Sequence, residues 1–154
     1  MNLDRIDLKI IRTLQNEGRI SNVQLADVVG LSASPCLSRV KRLEAAGVIV
    51  RYEAQFDLAR LGDFVAAYVQ ISMKNHRRET AMRFERYITR VDEVVEFYMV
   101  NGKFDYLIKV VAEGYDGPAR VIQELWQADL DIESYSVFVV SATPISHRPL
   151  PLGD

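Results

Sequence analysis

Ser34, Pro35, Ser38, Lys41 and Arg42 share one side of a helix-periodic stretch, with Arg39 at its margin. The opposite side gathers Cys36, Leu37, Val40 and Leu43, as a step of about 100° per residue requires. Small hydroxylic residues followed by cations let a helix sit deep in the major groove and reach guanine edges or phosphates. Glu44 is the only acid in the stretch, and it lies off this face. Taken alone, these residues also fit a structural helical bundle whose basic helix is incidental. Other chemistry is sparse. Cys36 is the single cysteine, and His76 and His147 are the only histidines, so neither a disulfide framework nor a His/Cys metal cluster can be built from one chain. No cofactor is expected. Tyr98, Tyr106 and Asp105 would suffice for an acid/base pocket, but no serine-histidine-acid set or Gly-rich phosphate loop accompanies them.

The elements that must position the basic face can be read from caps and periodicity. Leu3, Ile6, Ile10 and Leu14 recur at helical spacing, with Asp4 as N-cap, Asp7 in the first turn, and Gly18 past the stop. Ser21 and Gln24 form a capping-box pattern that opens a second, short helix ending at Gly30. Ser32 opens the third, with Pro35 in its first turn, and it runs to Ala46-Gly47. Two such helices joined by Val29-Gly30-Leu31 predict a helix-turn-helix. Val48–Tyr52 and Ala54–Asp57 read as two short strands, a wing carrying Arg51.

Beyond residue 60 the period changes. Strands are predicted over 64–72, 94–100, 104–111 and 134–140, and helices over 75–90 and 116–127. Asn101-Gly102 is a strong hairpin signal between the middle strands. The order β-α-β-β-α-β is the ferredoxin-like arrangement. Apolar residues occupy both faces of these strands, as with Tyr135 and Val137 against Phe138 in the last. Two helices cover only one face, so the other must be buried on something, and an identical sheet is the simplest partner. A homodimer is therefore expected.

The 154 residues, 49% hydrophobic and 26% charged, are ordinary globular usage and exclude a disordered chain. No apolar run approaches the ~20 residues of a membrane helix, and the charged start Asp4-Arg5 offers no secretory leader. A reducing cytoplasm is the expected compartment. The net charge of −2 is uneven: residues 1–60 carry nine cations and seven acids, and residues 61–154 ten and fourteen. Two units with different partners are expected, 1–60 and 61–154.

The stretch Val29-Gly30-Leu31-Ser32 through Arg39-Val40-Lys41-Arg42-Leu43-Glu44, with Gly47-Val48-Ile49, resembles the signature of the Lrp/AsnC (feast/famine) regulators. Gly18-Arg19-Ile20-Ser21, the segment Asn101–Val110 with its Gly-x-x-Asp-Tyr pattern, and the tail Leu150-Pro151-Leu152 are similar too, in the same order along nearly the whole chain. The resemblance implies an α+β chain: a winged helix-turn-helix followed by a ferredoxin-like effector-binding domain. It implies a sequence-specific regulator of amino-acid metabolism genes, not an enzyme, with double-stranded DNA and a small effector, an amino acid, as partners. It also implies dimers stacking into octamers or other rings. The DNA-contacting set is Ser34, Pro35, Ser38, Arg39, Lys41, Arg42 and Arg51. The effector pocket, between dimers, carries over to Met99, Val100, Asn101, Gly102, Asp105 and Ser136. Gly102 would take the positive φ of the turn and leave N–H groups open to a ligand carboxylate, and Asp105 would receive its ammonium. Plain turn chemistry is the alternative for both. The competing functional readings are a dimeric ferredoxin-like enzyme and a ligand-binding module without DNA binding.

Overall fold

The computed structural model describes residues 2–145 and 148–152, so His147 lies outside the described residues. The chain divides into two compact units, Met1–Gln55 with Pro144–Asp154, and Phe56–Thr143. The division falls a few residues before the sequence boundary at 60, and the tail joins the first unit. There the Leu150 N–H donates to Gln15 Oε1 at 2.6 Å.

The first unit holds α1 (Arg5–Asn16), α2 (Asn22–Val29) and α3 (Ala33–Ala45). Both expected caps form. Asp4 accepts from the Asp7 N–H while Asp7 answers to the Asp4 N–H, and Ser21 and Gln24 do the same for α2. Each box satisfies two helix-end donors that would otherwise lack partners. Gly30 ends α2 at φ 78°, a left-handed position that favours glycine. Ile10, Leu25, Ala26, Val29, Cys36 and Leu43 form the buried core. Leu37, expected with that core, is 42% exposed, because three short helices enclose a narrower arc of α3 than the apolar stripe spans. The wing strands do not form. Residues 48–57 contain no strand, and Val50 and Phe56 are 84% and 71% exposed. Glu53 alone between the two runs cannot make even a two-residue hairpin turn, and neither run has a ladder partner among the described residues.

The second unit begins with a short α4 (Leu58–Leu61), which the sequence reading did not anticipate. β1 (Phe64–Met73), α5 (Arg78–Ile88), β2 (Val94–Met99), β3 (Tyr106–Glu113), α6 (Gly117–Gln127) and β4 (Ile132–Val139) follow. The sheet is antiparallel, in the order β2-β3-β1-β4. Its helix-covered face is lined by Val69, Ile71, Ile108 and Val110, which pack with Phe84 and Ile88 of α5 and Ile122 and Leu125 of α6. Phe84 stacks on Tyr106 with ring centroids 4.6 Å apart. Gly117 lets α6 approach β3: a Cβ there would sit 2.8 Å from that of Ala112. Register assigns the faces that alternation alone left open. Val137 pairs with Val69 on the helix side, and Phe138 pairs with Tyr68 on the other.

Candidate DNA-binding and effector sites

Ser34, Pro35, Ser38, Lys41 and Arg42 are exposed along α3, as the helical period requires. Cys36 is buried on the far side, and burial pushes its thiol pKa up, so it packs as a small hydrophobe. The guanidinium groups are less free than the sequence reading supposed. Arg39 lies 2.7 Å from Asp4 and 2.8 Å from Asp7, and Arg42 reaches the second Asp7 oxygen at 2.6 Å. Asp7 itself is fully buried. Its carboxylate therefore spends every strong interaction inside the unit, tying α1 to α3. The Asp7 backbone N–H, with Arg39 beside it, holds the Asp4 carboxyl below its ordinary value. The Arg39 guanidinium is stabilised in return by Asp4 and Asp7.

Three free cations on α3 thus become one. Among the described residues Lys41 has no carboxylate partner, Arg42 keeps half its surface in water, and Arg39 is turned inward at 26% exposure. Arg51 pairs with Glu53 at 2.8 Å on an extended segment rather than a strand, and nearby Tyr52 donates to Glu44 at 3.0 Å. Asp7 was missed as a site residue because its partners stand more than thirty positions away. The only local signal was an acid inside a capping box.

In the second unit the loop between β2 and β3 differs from a two-residue hairpin. Strand pairing stops at Met99–Tyr106, and the Val100 N–H donates to the Asp105 carbonyl at 2.9 Å. Gly102 is not in the left-handed region, which corrects the expected turn. The cause is Asp105, drawn across to β1: its N–H donates to the Ile71 carbonyl at 3.0 Å, and its Oδ2 accepts the Met73 N–H at 2.8 Å. That leaves Oδ1 facing His76 Nδ1 at 3.3 Å. So the turn-stabilising role of Asp105 is real, and one oxygen remains for other work.

Met99 and Asp105 line a cavity of about 160 Å³ together with Met73, Asn75, His76, Ala81 and Tyr106. Burial, then nearby Glu85, pushes the Tyr106 hydroxyl pKa up, so it stays a neutral donor. Val100, Asn101 and Gly102 sit on the adjoining loop. Ser136 is not brought to them: it pairs with Gln70, on the sheet face opposite Tyr106. His76 is 79% exposed, and its place beside Asp105 depends on strand register, which local sequence does not show.

Two family models match the chain in succession. One, described as winged helix-turn-helix DNA-binding, covers residues 3–50. The other, the Lrp/AsnC ligand binding domain, covers residues 66–150. The chain belongs to the Lrp/AsnC family. Within it, this regulator is 42% identical to the transcriptional regulatory protein DoeX of Halomonas elongata over 143 residues, 93% of this chain and 90% of that one. An AsnC family transcriptional regulator from Agrobacterium tumefaciens superposes with a TM-score of 0.87 at 32% identity, over 97% of both chains. A Neisseria meningitidis transcriptional regulator, solved as a complex with L-Met, gives 0.88 at 26% identity, again over 97% of both. This Lrp/AsnC protein is accordingly a DNA-binding transcriptional regulator with a helix-turn-helix unit and a ligand-binding unit. Among its described residues no helix is long and apolar enough to cross a membrane.

Proposed function

We propose that this regulator acts in the cytoplasm as a homodimer, by binding rather than catalysis, and that an amino acid held near the β2–β3 loop modulates its hold on DNA. The observation that supports an amino acid is Asp105. Its Oδ1 stands at a cavity walled by Met73, Met99, Ala81 and Tyr106, so an ammonium and an apolar side chain would find partners together. The L-Met complex of the Neisseria relative agrees with this class of ligand. The cavity is open on one side in a single chain, and a second dimer in an octamer or other ring would close it.

Dimerisation rests on the uncovered sheet face. Tyr98 and Phe138 there are 48% and 51% exposed, next to Tyr68 and Leu107, and no helix packs on them. Phe138→Asp should leave a folded chain by circular dichroism but a monomer by light scattering; a folded dimer would refute the face. In the DNA contact, Lys41 and the exposed part of Arg42 bind phosphates or guanine edges, with Ser34, Pro35 and Ser38 close against the groove. Arg39 positions the helix through Asp7. Two-fold symmetry then requires a palindromic site with half-sites about one helical turn apart or a multiple.

The ligand claim is tested by calorimetry over the common amino acids, first on the wild type and then on Asp105→Asn. Asparagine keeps an acceptor for the Met73 N–H and removes the charge. Loss of the calorimetric signal in the variant is the expected result, and unchanged affinity would remove Asp105 from the site.

A further inference from the structure

The second unit is acidic as a whole, yet residues 74–90 carry six cations (Lys74, Arg77, Arg78, Arg83, Arg86 and Arg90) against two acids, Glu79 and Glu85. Six minus two leaves +4 on seventeen residues. Nothing in the helix-turn-helix or the effector cavity uses this charge. On α5, Arg78, Met82 and Arg86 follow one another at four-residue intervals, which places them along a single ridge, and Arg90 sits in the turn just past its end. Beside it runs a shallow groove of about 480 Å³ lined by Glu79, Met82, Arg83, Arg86, Tyr87 and Arg90. Arg83 is occupied by Asp131, and Glu85 turns away to the Tyr106 hydroxyl. Arg78, Arg86 and Arg90 have no carboxylate partner among the described residues, and all three are exposed.

We infer that this α5 ridge is a second contact surface for the phosphate backbone of duplex DNA. Helical rise separates Arg78 from Arg86 by about 12 Å, and Arg90, in the turn past the helix, lines the same groove as Arg86. A DNA strand offers a phosphate every ~3.4 Å of axis, so such a row meets several phosphates of one strand without reading any base. Arginine suits the task because its planar fork donates to phosphate oxygens in pairs. Charge complementarity selects this occupant. Arg78, Arg86 and Arg90 outnumber Glu79, the one exposed acid of the groove, Met82 and Tyr87 are only 47% and 38% exposed, and the chain already carries a DNA-binding helix. The inference rests on the DNA-binding reading of the first unit.

The test is fluorescence anisotropy of the full chain on a mixed-sequence duplex across a salt titration. Arg86→Ser/Arg90→Ser should lower the slope of log affinity against log salt by roughly 2, the loss of two phosphate contacts. Arg60→Ser/Arg120→Ser removes the same charge elsewhere in the second unit and should leave the slope nearly unchanged. Arg86→Lys/Arg90→Lys keeps the charge, guards against a folding artefact, and should retain the slope. An unaltered slope in the serine pair, an equal drop in the control pair, or an equal drop in the lysine pair overturns the inference; the first of these is also what an acidic protein partner would give. Failure of the wild type to bind any duplex would instead overturn the DNA-binding reading itself.

Discussion

The two units hold their functional surfaces in place by different means. The sheet unit has fourteen buried residues in one core cluster, none of them charged, and its geometry is fixed by ladder register. Among the described residues the helical unit has only six buried apolar residues. It adds a fully buried carboxylate, Asp7, that grips two arginines of α3. A small core of short helices leaves rotation of one helix on another weakly specified. An ion pair satisfied on both oxygens selects one orientation, though its net stabilisation is small compared with the cost of breaking it. So α3, the helix proposed to meet DNA, is oriented electrostatically, whereas the β2–β3 loop is oriented by strands.

The largest expected effect lies in the sheet unit. Phe84 is fully buried and stacked between Tyr106 and the edge of Phe97, so Phe84→Ala should cost about 3–5 kcal/mol in denaturant melts. Next is Asp7→Asn, which strips the charge that both arginines face. A loss of about 3 kcal/mol is expected, at the low end for a broken buried pair, because Arg42 is half in water. Double-mutant cycles of Asp7→Asn with Arg39→Gln and with Arg42→Gln sharpen this: coupling near zero in both would mean that the Asp7 ion pairs do not hold α3, and the contrast between units would fail.

Much of this architecture was legible in the sequence. The Asp4 and Ser21 caps, the Gly30 stop and the β-α-β-β-α-β order each depend on residues within a few positions of one another. What was not legible depended on distance. Asp7 looked like a helix-end acid because Arg39 and Arg42 come from another helix. The Gly102 turn looked tight because the pull of Asp105 on β1 is a register effect. The wing looked like strands because Val48, Val50 and Tyr52 have strand-forming types, but a strand needs a ladder partner, and none pairs with them among the described residues. The Arg-rich face of α5 carries no local signal of a partner, since period separates buried from exposed without asking what the exposed charge is for.

Smaller effects probe the local layer. Ser21→Ala removes the α2 cap and should cost about 1 kcal/mol, visible as a small shift of the denaturation midpoint. If it cost more than Asp7→Asn, capping rather than the ion pair would dominate the helical unit. The weakest expected effect is acid sensitivity through Asp4. Its folded pKa is depressed, so its contribution is complete above the ordinary value of 3.8 and is lost as pH falls through the lowered folded value. Asp4→Asn should therefore flatten the acid limb of a stability–pH profile slightly and leave neutral pH nearly unchanged. A steeper acid limb in the variant would reverse the sign and contradict the pairing.

Ligand binding in the sheet unit is proposed to change DNA binding by the helical unit. It is tested most directly by measuring affinity for an operator fragment at fixed salt, with and without each common amino acid at saturation. Coupling energies between sites in one protein are usually 1–3 kcal/mol. At least one amino acid should accordingly change the DNA dissociation constant by about 5-fold or more, and Asp105→Asn should abolish that change while still binding DNA. If no amino acid alters DNA affinity in the wild type, or if Asp105→Asn responds as the wild type does, the account of sensing is contradicted.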